Sequence, residues 1–284
     1  MPPEGLTSKK IGLALGGGGA RGLAHIGVLK VLEREGIPIS CVAGTSMGSL
    51  LAALFAQGVP AGAIEAEAVR IGKLKELFKL VDVGVSKGAM LKGERLSKYM
   101  AVWLGVKQTF AELRLPLAVV AVDVLSGCEV ILKDGRVLDA IRASIAMPGV
   151  FAPQKLGPYK LVDGGMLNNV PVNAARELGA EVVIAVDVMP HFSENQPGQS
   201  PVVLPLKAPK VPRAYQYFGH IEMIMVSAMT EHRMRETKPE VIIRPQLPTD
   251  LDVLIGFDRP AEAIAAGEQA TEAALAQIRK FVTL

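Results

Sequence analysis

Six stretches of the chain are almost continuously apolar: 11–15, 41–43, 117–122, 129–132, 182–188 and 241–243. A strand with one wet face alternates apolar and polar residues, whereas a strand covered on both faces does not. These runs therefore predict a parallel or mixed sheet sandwiched between helices. Helical patterns fall between them, over 21–35, 47–57, 170–178 and 260–281. The first stops at Gly36 with Pro38 beyond, and the second at Gly58 with Pro60 beyond. A glycine just past the end followed by a proline is a helix stop signal. The alternation predicts one α/β domain over 1–284 with a mostly parallel central sheet and helices on both faces. Its motifs lie in about 10–190, a proline-rich loop in 190–212, and the completing helices and strand in 213–284.

A sheet buried on both faces needs apolar material. Half of the 284 residues are hydrophobic and 21% are charged, which excludes disorder of the whole chain. The mean hydropathy of +0.32 raises the question of a membrane span. The longest apolar stretch, 50–56, is far short of the ~18 residues a spanning helix needs. Lys9 and Lys10 before I-G-L-A-L imitate the start of a secretion signal, but the run dissolves into glycines and Arg21. The expectation is a cytoplasmic chain, at most peripheral to a membrane. With 31 Lys and Arg against 28 Asp and Glu, the net charge is +3. It forms no basic stripe, so no nucleic acid is expected as partner. Cys41 and Cys128 lie in strand-like runs and are expected as buried thiols, not a disulfide framework. The sequence sets no oligomeric state.

Two stretches break the pattern. Residues 70–107 carry nine Lys or Arg against three acids, with little periodicity. This segment is placed to cap a pocket and to meet anionic head groups, although a basic surface is ordinarily just solvated. Residues 190–212 hold six prolines and read as a long loop. Beyond it, Met223, Met225, Met229 and Met234 mark a helix suited either to acyl chains or to an ordinary core.

The first chemical motif is G-G-G-G-A-R-G, Gly16 to Gly22, between the first strand and the first helix. Glycines there let the backbone approach a ligand, and N–H groups at a helix start point at negative charge. The same residues fit a dinucleotide fingerprint, which also needs an acid about 20 residues on. That place holds instead Gly44-Thr45-Ser46-Met47-Gly48, with no acid. G-x-S-x-G between a strand and a helix is the nucleophile elbow, in which Met47 N–H serves as one oxyanion donor. Glycine turn and elbow both follow strands and so share the carboxyl end of the sheet, where open α/β sheets place their sites. The base is less plain. His25 lies inside the first helix, a packing or surface position. His191 lies in the proline loop, and His220 and His232 on a helix. Asp163-Gly164-Gly165 follows the strand-like Y-K-L-V, so its carboxylate is placed to approach Ser46, although Asp-Gly-Gly alone reads as a turn. No His/Cys/Asp cluster has metal-ligand spacing.

Together these residues resemble the patatin-like phospholipases, most closely bacterial members related to the catalytic domain of neuropathy target esterase. Four blocks match in order: Gly16–Gly22, Gly44–Gly48, A-S-I-A-M-P at 143–148 and Asp163–Gly165. The resemblance implies a lipid acyl hydrolase with a Ser–Asp dyad, no histidine, and no metal or organic cofactor. It makes Ser46 the nucleophile and Asp163 the base, with Gly17, Gly18 and Gly19 as further oxyanion donors. It gives Arg21 a role in organising the loop or meeting a phosphate, and Ser144 a supporting one. Gly22, Gly44, Gly48, Gly164 and Gly165 complete the motifs; Gly165 is within the family's Gly-or-Ala pattern. The implied partner is a phospholipid, lysophospholipid or other acyl ester. Two competing readings stand beside it: an acyltransferase or α/β-hydrolase with His191 or His232 as base, and a binding protein that keeps the motifs without turnover.

Overall fold

The strands differ in what each face carries. In a computed structural model, which describes residues 9–73, 76, 79–80, 83–86, 89–91, 93–192 and 213–282, the first strand β1 (Ile11–Leu15) is buried throughout. It turns Ile11, Leu13 and Leu15 to one side and Ala14 to the other. The next strands repeat the split. β2 (Ile39–Thr45), β5 (Leu117–Asp123) and β9 (Val182–Val186) send Val42, Val119, Ile184 and Val186 to the first side. They send Cys41, Ala43, Ala118 and Ala185 to the second. The continuous apolar runs thus conceal an alternation of faces, the second of them mostly small but for Val120 and Val183. The bulky face takes the helices α1 (Ala24–Arg34), α2 (Met47–Gln57) and α8 (Pro260–Ile278). The small face lets the short helix α6 (Val172–Glu177) lie close, through Val172, Ala174 and Ala175.

The main sheet has the order β10-β9-β1-β2-β5-β8-β7, with β6 paired to β5. β10 (Val241–Ile243), β9, β1, β2 and β5 are mutually parallel. β6 (Cys128–Leu132), β7 (Gln154–Leu156) and β8 (Tyr159–Asp163) add an antiparallel margin. β5 has three partners. Val42–Thr45 of β2 pair with Leu117–Val120, and Leu161–Asp163 of β8 pair with Ala121–Asp123. β6 overlaps both stretches and so occupies the opposite edge. β2 and β8 therefore share one edge of β5 and run head to head, their carboxyl ends meeting at Val120 and Ala121.

The remaining elements were not legible as periodic patterns. Within and beside 70–107 lie the helices α3 (Ala61–Ile71) and α4 (Glu94–Leu104) and a hairpin of β3 (Val83–Ser86) and β4 (Ala89–Leu91). α4 is bounded by two glycines with positive φ, Gly93 (71°) and Gly105 (77°). Glu67 joins α3 to α4: it accepts from Tyr99 Oη at 2.6 Å and Trp103 Nε1 at 3.3 Å, and pairs with Arg70 at 2.6 Å. Arg70 above all holds the Glu67 carboxyl down at about 2. Part of the basic excess is thus consumed locally, with Lys79 on Glu76 as well. Lys75, Lys87 and Lys92 of the expected cap lie outside the described residues, as do 193–212 of the proline-rich loop. The helix α5 (Val137–Ser144) is only eight residues long, too short to announce itself. The predicted helix at 21–35 divides into a 3-10 turn, Gly19–Leu23, and α1. The last helix likewise ends in a 3-10 turn, Arg279–Phe281. The methionine-bearing helix is α7 (Arg213–Thr237).

The expectation of two buried thiols holds for Cys41 and fails for Cys128, which is exposed. Among the described residues β6 pairs only with β5, so its residues lack the double cover that an apolar run in a central strand signals.

Candidate active site

The carboxyl ends of β1, β2 and β8 converge. β2 ends at Thr45 and α2 begins at Met47, so Ser46 alone makes the turn, at φ 51° and ψ −125°. A non-glycine residue there is strained by about 1–3 kcal/mol and persists only where its surroundings hold it. They do so here. Ser46 N–H donates to Ser144 Oγ at 2.8 Å, and Ser49 Oγ donates to Ser46 O at 2.6 Å. The turn also needs Gly48, because a Cβ there would overlap the carbonyls of Leu15 and Gly16. Gly44 lies against Gly48 and Ser49, and Gly22 against the Met47 side chain.

Ser46 Oγ donates to Asp163 Oδ2 at 2.6 Å. The other oxygen of Asp163 accepts Gly165 N–H at 2.8 Å. Asp163 is 6% exposed, and burial pushes its carboxyl up to about 6, against the pull of these two hydrogen bonds. Gly164 lies against the Val120 carbonyl. That carbonyl accepts the Ser144 hydroxyl at 2.6 Å, so Ser144 ties the elbow to β5.

The glycine turn closes over the serine: a Cβ at Gly17 would stand 3.0 Å from Ser46 Cβ. The three expected oxyanion donors are not equivalent. Gly17 N–H is already given to the Asn169 carbonyl at 3.1 Å, which removes it as a donor to a ligand. Among the described residues the N–H groups of Gly18, Gly19 and Met47 have no partner. Gly19 has φ 54°, and a Cβ on it would overlap the Val253 carbonyl. Asn169, which also donates from Nδ2 to Gly17 O at 3.2 Å, is buried in this network, and no motif points to it. Ser49 was equally silent.

Arg21 is buried, with Nε on the Val188 carbonyl at 2.7 Å and Nη1 on the Leu251 carbonyl at 2.8 Å. Burial draws its guanidinium down to about 10, against the charges of Asp252 and Asp187. Both bonds run from the glycine turn to carbonyls of segments outside it. His25 is fully buried beneath that turn, its Nε2 2.7 Å from the Gly16 carbonyl. A carbonyl only accepts, so Nε2 carries the proton; burial lowers the ring to about 4 and keeps it neutral. No histidine is within hydrogen-bond reach of Ser46 Oγ among the described residues. His232 is exposed and faces Glu236 at 3.3 Å. His191 lies 3.3 Å from Asp187 and 3.1 Å from Glu231. Those three come close enough to share a cation, but the Arg244 guanidinium already pairs with both carboxylates.

The fold is thus an open α/β sheet that gathers a serine elbow, a glycine turn and a buried carboxylate at one end. The sequence profile of the patatin-like phospholipases matches residues 13–176, and the chain belongs to that family. Patatin-like phospholipase domain-containing protein 6 of Mus musculus is 37% identical over 187 residues, covering 64% of this chain and 14% of that protein. An NTE family protein of Mycobacterium bovis is 36% identical over 187 residues, covering 65% of this chain and 51% of its own length. The chain thus spans about half of one of these relatives and far less of the other. The crystal structure of VipD from Legionella pneumophila shares the fold, with a TM-score of 0.51 at 13% identity over 96% of this chain and 67% of that one. No helix among the described residues is long and apolar enough to cross a membrane.

Proposed function

We propose that the chain is a serine acyl hydrolase of lipid esters, with Ser46 as nucleophile and Asp163 as base. The observation that carries this is the 2.6 Å hydrogen bond from Ser46 Oγ to the buried carboxyl of Asp163, on an elbow with no histidine in reach. Asp163 takes the hydroxyl proton as Ser46 Oγ attacks the ester carbonyl carbon. The oxygen that becomes negative meets the free N–H groups of Gly18, Gly19 and Met47. The alcohol leaves with the proton from Asp163, and the acyl group stays on Ser46. Water, giving a proton to Asp163, then attacks the acyl-enzyme; the bond to Ser46 Oγ breaks, Ser46 takes the proton back from Asp163, and the fatty acid is released.

The family supports a lipid ester as substrate. So does α7, which exposes Phe218, Ile221 and Met225 on one side while its other side packs against Met166, beside the Asp163 turn. Such a face suits peripheral contact with a lipid surface.

The test is labelling of Ser46 by a fluorophosphonate, followed by a panel of acyl esters varied in chain length and head group. Ser46→Ala is expected to abolish labelling and to lower kcat by on the order of 10⁴–10⁶, while the protein stays folded. Retention of more than about a tenth of the activity overturns the assignment.

A further inference from the structure

One buried ionisable group beside the dyad has no place in this acyl transfer. Glu222, on α7, is 8% exposed, almost as enclosed as Asp163. Its Oε1 is buried and has no hydrogen-bond partner among the described residues. The neighbouring Met223 and Val226 pack against Met166, Met189, Phe192 and Val253. Met166 ends the 3-10 turn that begins after Asp163. The Val253 carbonyl accepts Ala20 N–H at 3.0 Å and so braces the glycine turn. Glu222 therefore stands in an apolar rim that touches both halves of the site. Burial pushes its carboxyl up to about 7, and the charge of Asp163 adds to the rise. Near neutral pH a large share of it is the acid, which both donates and accepts.

A buried polar oxygen without a partner costs stability. Among the described residues no group recovers that cost. A site built to hydrogen-bond a group of its substrate rejects analogues that lack that group.

We propose that Glu222 is a specificity-determining residue whose buried, unpartnered carboxyl oxygen hydrogen-bonds a hydroxyl that the entering substrate carries next to the scissile ester, as the substrate parts the apolar rim. The site thereby selects acyl esters of polyhydric alcohols over simple alkyl esters. This rests on the acyl-hydrolase reading above, and Glu222 takes no part in the bond changes at Ser46.

The experiment compares kcat/KM at pH 7 for glyceryl monooctanoate and ethyl octanoate, with fluorophosphonate labelling of Ser46 run alongside. The wild-type protein is expected to prefer the glyceryl ester by about tenfold or more. Glu222→Met, which keeps the volume and suits a methionine-rich rim, is expected to lose that preference while its rate on the ethyl ester changes little. Glu222→Gln keeps a hydrogen-bonding oxygen and is expected to retain the preference. A ratio near one in the wild type overturns the proposal whatever the variants do. So does an unchanged ratio in Glu222→Met with Ser46 labelling normally. Failure of Ser46 to label in the wild type is a separate result: it removes the acyl-hydrolase reading and this inference with it.

Discussion

Ser144 Oγ stands between two backbone groups, accepting Ser46 N–H at 2.8 Å and donating to the Val120 carbonyl at 2.6 Å. The bond matters because of where Val120 lies. Thr45 of β2 pairs with Val120 and Asp163 of β8 pairs with Ala121, so the strand ends that carry Ser46 and Asp163 meet on consecutive residues of β5. Ser144 fastens the strained elbow to that meeting point.

Ser144→Ala leaves a buried N–H and a buried carbonyl unpaired. The expected loss is about 1–3 kcal/mol of stability, read by urea unfolding. As a positioning residue, Ser144 should affect kcat by about tenfold or more and KM little, because the serine is misplaced and not the binding surface. Stability and kcat both equal to wild type would show that the elbow holds itself.

Asp163→Asn is expected to be inactive and yet more stable at neutral pH. The folded protein holds the Asp163 proton up to about 6, whereas the unfolded chain releases it near 3.9. The folded state binds the extra proton between these values, so stability falls as pH rises from about 4 to about 6. Removing the charge should return about 1–3 kcal/mol at pH 7 and nothing at pH 4. Wild-type kcat/KM should rise through an apparent pKa near 6, since only the ionised carboxyl accepts the proton. Denaturation curves at pH 4, 5.5 and 7 check the first part. An Asp163→Asn protein that hydrolyses esters at the wild-type rate would refute the base assignment.

His25 acts in the opposite sense. Its folded value near 4 lies below the ordinary 6.5 or so, so the unfolded chain takes the proton first and stability is lost as pH falls from about 6.5 to about 4. His25→Gln keeps an N–H for the Gly16 carbonyl and does not titrate. Stability and kcat at pH 7 should stay within a few-fold of wild type, while acid unfolding shifts to lower pH. A folded His25→Gln as inactive as Ser46→Ala would bring a histidine back into the mechanism.

Arg21→Lys tests the brace under the glycine turn. Arg21 serves two carbonyls, Val188 and Leu251, with two nitrogens of one planar group. A lysine ammonium is a single point and does not span both. The expected loss is about 1.5–3 kcal/mol, with slower fluorophosphonate labelling of Ser46 as Gly18 and Gly19 lose their alignment. Unchanged unfolding and labelling would mean that the turn stands without the arginine.

What could be read ahead of the fold was local. The apolar runs at 11–15 and 241–243 coincide with β1 and β10. The pattern at 47–57 is α2 to the residue, because Gly58 closes it at φ 89°. The glycine turn, the elbow and the Asp-Gly-Gly turn were each visible because a tight turn or a close approach restricts residue type at fixed offsets. α5 escaped because it has only eight residues, whereas α3 and α4, as long as α2, draw their stability from neighbours distant in sequence, as the bond from Tyr99 to Glu67 does. Cys128 was misplaced for a related reason: an apolar residue in a strand does not say whether the strand is central.

The amino-acid sequence by itself determined the class of fold, the position of the serine and the blocks that face it. Those features rest on side-chain period and on backbone geometry within a few residues. Tertiary structure alone decided which of three glycine amides was already taken, since Asn169 lies 152 residues from Gly17. It alone brought β2 and β8 head to head on β5, buried Asp163 enough to raise its carboxyl, and set Glu222 beside it. Each of these depends on the energy of pairing and desolvating groups far apart along the chain, and a sequence carries no distance between such groups until the sheet has ordered them.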